Sequence, residues 1–65
     1  MTVKQTLIRA KNNITIKNVL IRNAHLKTLL YFGSINEIPS QLANKEVTCY
    51  LYNASRKLFI LKIST

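Results

Sequence analysis

Apolar residues in this chain come in short runs separated by asparagine-rich breaks. The longest runs are Val19-Leu20-Ile21, Leu29-Leu30-Tyr31-Phe32 and Leu58-Phe59-Ile60-Leu61. These have the length of strands, and none approaches the ~20 residues of a membrane-crossing helix. Only Gly33 and Pro39 punctuate the chain, and Asn12, Asn13, Asn23, Asn44 and Asn53 supply most of the remaining turn chemistry.

The pattern is clearest near the C-terminus. Residues 46–52 alternate, 53–56 (Asn-Ala-Ser-Arg) read as a turn, and 57–63 run back, which predicts a β-hairpin. With a two- or four-residue loop, Tyr52 lies opposite Lys57 and Tyr50 opposite Phe59. One face then carries Val47, Cys49, Leu51, Leu58 and Ile60. The other carries Thr48, Tyr50, Tyr52, Lys57, Phe59, Leu61 and Ile63. An antiparallel hairpin with one wet face is polar on that face. Here both faces are apolar, so the second needs a cover: barrel closure, the short helix, a second subunit or a ligand.

Upstream, residues 14–22 (ITIKNVLIR) are β-branched and alternating, with a slip in parity at Asn18 that a bulge at Lys17-Asn18 would absorb. Asn23-Ala24-His25 reads as a turn, and 26–32 as the next strand, antiparallel to the one before. The stretch 2–10 fits two descriptions. Val3, Leu7 and Ile8 suit one face of a short helix, but Asn12-Asn13 followed by Ile-Thr-Ile is a hairpin signal that favours a strand. Around Pro39, Leu42 and Asn44 there is room for one or two helical turns. Pro39 would lie in the first turn, with Asn44 ending the helix in a left-handed conformation. The expected fold is α+β and mostly β: a small antiparallel sheet or partly closed barrel of four or five strands, with one short helix near 39–44, as a single domain over 1–65.

Size and composition sharpen this. A chain of 65 residues buries only about 60% of its unfolded surface, so its core is marginal and small scaffolds usually need a staple. Cys49 is the only cysteine and His25 the only histidine, so neither a disulfide within the chain nor a cysteine-rich zinc site is available. No cofactor or metal is expected. Packing or self-association remains, and a homodimer through an apolar sheet face is the natural form of the latter. Cys49, between Val47 and Leu51 on its face, is expected to be a buried small hydrophobe. His25 is expected to be an exposed turn residue. The N-terminus has no apolar signal core, so the expected location is cytoplasmic, with Cys49 reduced and no membrane partner.

Charge is the strongest compositional signal. Ten Lys and Arg face two acids, Glu37 and Glu46, for a net charge of +8. Such a field attracts polyanions, whether nucleic acid, an anionic membrane or an acidic protein surface. The cations run from Lys4 to Lys62 without a basic block, which marks the charged surface of a folded domain. Two sets stand out. Tyr50, Tyr52, Arg56 and Lys57, with Phe59, combine rings able to stack bases with cations for phosphates. Phe59 is expected to serve the core instead, since so short a chain can spare few large apolar residues. Lys4, Arg9, Lys11, Lys17 and Arg22 are candidates for phosphate contacts, which position a nucleic acid without reading its sequence.

Catalysis is not expected. The chain has no Asp, a single His and no Gly-rich loop, and its two carboxylates have no reason to share a cleft. The expected function is a small basic nucleic-acid-binding module. The alternative is a protein-interaction module, such as a phage or mobile-element inhibitor of a host defence or regulatory protein, which suits the Ile-, Asn- and Lys-rich composition. A weaker alternative is sequestration of anionic nucleotides.

Overall fold

In the computed structural model, which describes residues 1–64, the first element is α1 (Val3–Lys11), a helix and not the strand expected at 2–10. Its start is fixed by Thr2-Val3-Lys4-Gln5, a capping box. The Thr2 hydroxyl accepts from the Gln5 N–H at 3.2 Å, and the Thr2 N–H donates to the Gln5 side-chain carbonyl at 3.0 Å. Two of the orphan donors at the helix start are thereby satisfied. The Thr6 hydroxyl donates to the Thr2 carbonyl at 2.9 Å. Val3, Thr6 and Leu7 are buried and Ala10 partly so, at the helical spacing of 3, 4 and 7. Ile8, which the apolar count had placed on this face, is exposed. Arg9 and Lys11 lie in the last turn, where positive charge complements the helix dipole.

The sheet consists of β1 (Asn18–Asn23), β2 (Leu29–Gly33), β3 (Val47–Asn53) and β4 (Leu58–Ile63), in the spatial order β2-β1-β4-β3. Two antiparallel hairpins lie side by side, and their inner strands, β1 and β4, run parallel. The sheet is therefore mixed rather than purely antiparallel, and open rather than closed into a barrel. With 41% strand and 25% helix the chain is α+β and mostly β. Between β2 and β3 lie a 3-10 turn (Ile35–Glu37) and α2 (Ser40–Ala43), which begins immediately after Pro39. Asn44 closes α2 at φ −92°, in right-handed rather than left-handed backbone. No helix among the described residues is long and apolar enough to cross a membrane.

The core lies between α1 and one face of this sheet. Val3 and Leu7 from the helix meet Val19 and Ile21 of β1 and Phe59, Leu61 and Ile63 of β4. Strand β1 is shorter than the ITIKNVLIR pattern suggests. Ile14 and Ile16 precede it in an irregular connection and pack against the core from there, which explains the slip in parity without a bulge at Lys17-Asn18. Register breaks occur elsewhere, between Ile21 and Arg22 against β2 and between Val47 and Cys49 in β3. The turn at Asn23 holds because its side-chain carbonyl accepts from the His25 and Leu26 N–H groups at 2.8 and 3.0 Å. Lys27, at φ 57°, donates its N–H to the Asn23 carbonyl at 2.9 Å, so β2 begins at Leu29 and not at 26.

The C-terminal hairpin forms as expected, but its register is shifted. Tyr52 faces Phe59, Tyr50 faces Leu61 and Asn53 faces Leu58, so the loop is 54–57 and not 53–56. The Asn53 side-chain carbonyl drives the shift, accepting from the Arg56 N–H and the Ser55 hydroxyl while Asn53 stays in the ladder. Lys57 leaves the strand and takes φ 53° in the turn. The shift is two residues in pairing, so strand parity survives: Phe59, Leu61 and Ile63 point to the core, and Leu58 and Ile60 to the other side. The irregularity at Thr48 moves Val47 to the core face, opposite Ile63. Cys49, expected to be buried, is exposed on the open face.

Candidate nucleic-acid interface

The structure separates the predicted binding residues into four places. Arg9, Tyr50 and Tyr52 come together, lining an open groove of about 430 Å³ between the end of α1 and the β3 edge of the sheet. Phe59, Asn13 and Ile14 are among the other residues lining this groove. Lys4 and Lys11 lie on another side of α1, along a groove shared with Ile35 and Ile38. Lys17, Arg56 and Lys57 gather at the hairpin turn, where the Lys57 carbonyl accepts from the Lys17 N–H at 2.8 Å and from the Asn18 N–H at 3.4 Å. Arg22 lies on the open face of the sheet, beside Lys62.

The aromatic groove is built from the hairpin register. Phe59 is buried at 2% exposure and forms the floor. Tyr52, directly opposite on β3, tilts against it with ring centroids 6.2 Å apart, and its hydroxyl donates to the Thr15 carbonyl. That bond ties β3 to the connection that follows α1. Tyr52 is half-buried and spends its polar tip internally. Tyr50, the diagonal neighbour of Phe59, stacks on it at 5.5 Å with only 17° between the ring planes. Diagonal pairs of this kind are within reach of aromatic side chains. Tyr50 nonetheless keeps 63% of its surface open to solvent. The outer face of a ring held parallel to its neighbour is a ready platform for another flat group.

Charge around the groove is one-sided. Glu46 is paired with the N-terminal ammonium of Met1 at 3.0 Å, and among the described residues no Lys or Arg side chain makes an ion pair. The Arg9 guanidinium has a weak contact with the Met1 sulfur at 3.3 Å. The cations are thus available to external anions. Phe59 takes the core position expected of it, while Asn13 and Ile14 are groove residues that the sequence pattern did not point to. The capping box, by fixing the helix, is the signal that brings Arg9 and Asn13 over the hairpin. Among the described residues, no three His, Cys, Asp or Glu side chains converge. In comparison with known proteins, no family model matches the chain, and neither a curated protein nor a solved structure matches it significantly.

Proposed function

We propose that this protein is a small basic module that binds single-stranded nucleic acid in the groove between α1 and β3. The observation that carries this reading is Tyr50, an open ring held flat on Phe59 in the groove that Arg9 also lines, in a molecule of net charge +8. A base stacks on the free face of Tyr50, and base–aromatic stacking contributes roughly 1–3 kcal/mol. Arg9 neutralises a neighbouring phosphate, and Lys17, Arg56 and Lys57 extend the cationic track at the hairpin turn. Stacking of this kind needs unpaired bases, which favours a single strand over a duplex. Tyr52 supports the groove rather than contacting the ligand, because its hydroxyl is engaged by the Thr15 carbonyl. A cytoplasmic location, with the exposed Cys49 kept reduced, accompanies this reading.

The test is titration of a fluorescent oligothymidylate and an oligouridylate at rising salt. Affinity is expected to fall by about 0.7 log units per log unit of salt for each phosphate neutralised. Tyr50→Ala is expected to weaken binding about 5- to 150-fold while the fold is retained, since the ring lies at the surface. No binding at ~50 mM salt, where phosphate contacts are strong, would sink the reading.

A further inference from the structure

The face of the sheet opposite α1 carries an ordered apolar row that no part of the described chain covers. The strand registers pair Phe32 with Leu20, Leu20 with Ile60, and Ile60 with Leu51. These four side chains therefore form one line across all four strands. The two at its ends are widely open, Phe32 at 56% and Leu51 at 64% exposure. The next row along the strands is Leu29, Arg22, Lys62 and Cys49, again by direct register. Two exposed cations thus lie side by side along one flank of the apolar line. Neither acid is on this face: Glu37 belongs to the 3-10 turn and Glu46 is held by the N-terminus.

We propose that this face docks an amphipathic helix of another protein, with an apolar stripe flanked by carboxylates. Four neighbouring strands at ~4.8 Å spacing make a row about 14 Å long. Apolar positions at i, i+4, i+7 and i+11 of a helix extend about 16 Å, so one helix laid across the strands matches the row residue for residue. Arg22 and Lys62 are each two residues along their strands from Leu20 and Ile60, about 6.6 Å away. That offset is close to the radius of a helix with its side chains, so acids flanking the stripe sit over the two cations. Charge decides against a second copy as the occupant. Two such faces stacked on each other would bring Arg22 and Lys62 from both chains into one interface with no carboxylate to pair them, and unpaired charge in an interface is costly. This inference is independent of the aromatic groove, which lies on the other side of the sheet.

The test uses two synthetic helical peptides of about 18 residues with the same leucine stripe, flanked by Glu in one and by Lys in the other. Each is titrated with the intact protein by fluorescence anisotropy. The Glu-flanked peptide is expected to bind at least about tenfold more tightly than the Lys-flanked one, with Leu51→Asp reducing its affinity about tenfold or more. Arg22→Glu is expected to remove the preference. Both substitutions are at exposed positions, so circular dichroism should show an unchanged fold, and Leu51→Asp should leave oligonucleotide affinity unchanged. Equal affinity for the two peptides, or no binding of either, would overturn the proposal. So would a dimer in sedimentation that Leu51→Asp dissociates, which makes a second copy the cover, or capture on phosphatidylglycerol vesicles that the same substitution abolishes.

Discussion

Gly33 shows how much one position settles in so small a core. It ends β2 opposite Val19 with φ +157°, and a Cβ there would come within 3.0 Å of the Tyr31 hydroxyl. That hydroxyl donates to the Ser34 carbonyl at 2.6 Å and pins the exit from the strand. Gly33→Ala should therefore cost about 1–3 kcal/mol, from backbone strain and displacement of Tyr31, read as a lower urea midpoint. An unchanged midpoint would mean that the strand end relaxes freely. Other residues at this scale behaved as their types suggest. Asn23 and Asn53, picked out as turn residues, accept backbone N–H bonds through their side chains. His25 is exposed, with its Nε2 3.2 Å from the Ser64 hydroxyl. Cys49 behaved otherwise, because an apolar pattern gives the parity of a strand and leaves open which parity meets the helix.

At the scale of elements, α1 is the decisive case. Its period was partly hidden: Thr6 and Ala10 complete the buried stripe but read as weak apolar positions, and Ile8 reads as core while lying outside. The hairpin signal at Asn12-Asn13 competed with it. The helix prevails because the Thr2–Gln5 capping box satisfies its start and the 3-6-7-10 stripe buries against the sheet. A helix of nine residues has little stability alone, so tertiary packing and the cap must hold it. Thr2→Ala is expected to destabilise the protein by about 1 kcal/mol. Hydrogen exchange should show the loss first in the amides of α1. The same element sets the candidate site, since only a helix at this place carries Arg9 and Asn13 to the aromatic groove. In the C-terminal hairpin the element was readable and its register was not. Both loop placements satisfy the alternation, and the choice fell to side-chain bonds made by Asn53.

The molecule as a whole is a one-sided sandwich: a mixed sheet with α1 on one face and an open apolar row on the other. Its ten basic residues against two acidic ones imply self-repulsion in the compact state. Raising ionic strength from about 10 mM to about 150 mM shortens the Debye length from roughly 30 Å to roughly 8 Å and screens that repulsion. The melting temperature is expected to rise over this range, measured by circular dichroism in a buffer with no polyvalent anion. A fall would mean that attractive pairs outweigh the repulsion. Strands at 14–22 and 57–63 were readable from their apolar runs, although the first begins only at Asn18 and takes in Asn23, and the excess of cations over acids was plain from composition. The apolar character of both hairpin faces was equally plain, because side-chain parity follows from the strand period alone. The covered face could not be read there, since it depends on where α1 docks, and α1 contacts residues more than forty positions away in the chain. The parallel pairing of β1 with β4 has the same origin. Local sequence sets strand period and turn chemistry; the meeting of distant segments brings Phe32, Leu20, Ile60 and Leu51 into one row and lays Tyr50 on Phe59 in the groove that Arg9 also lines.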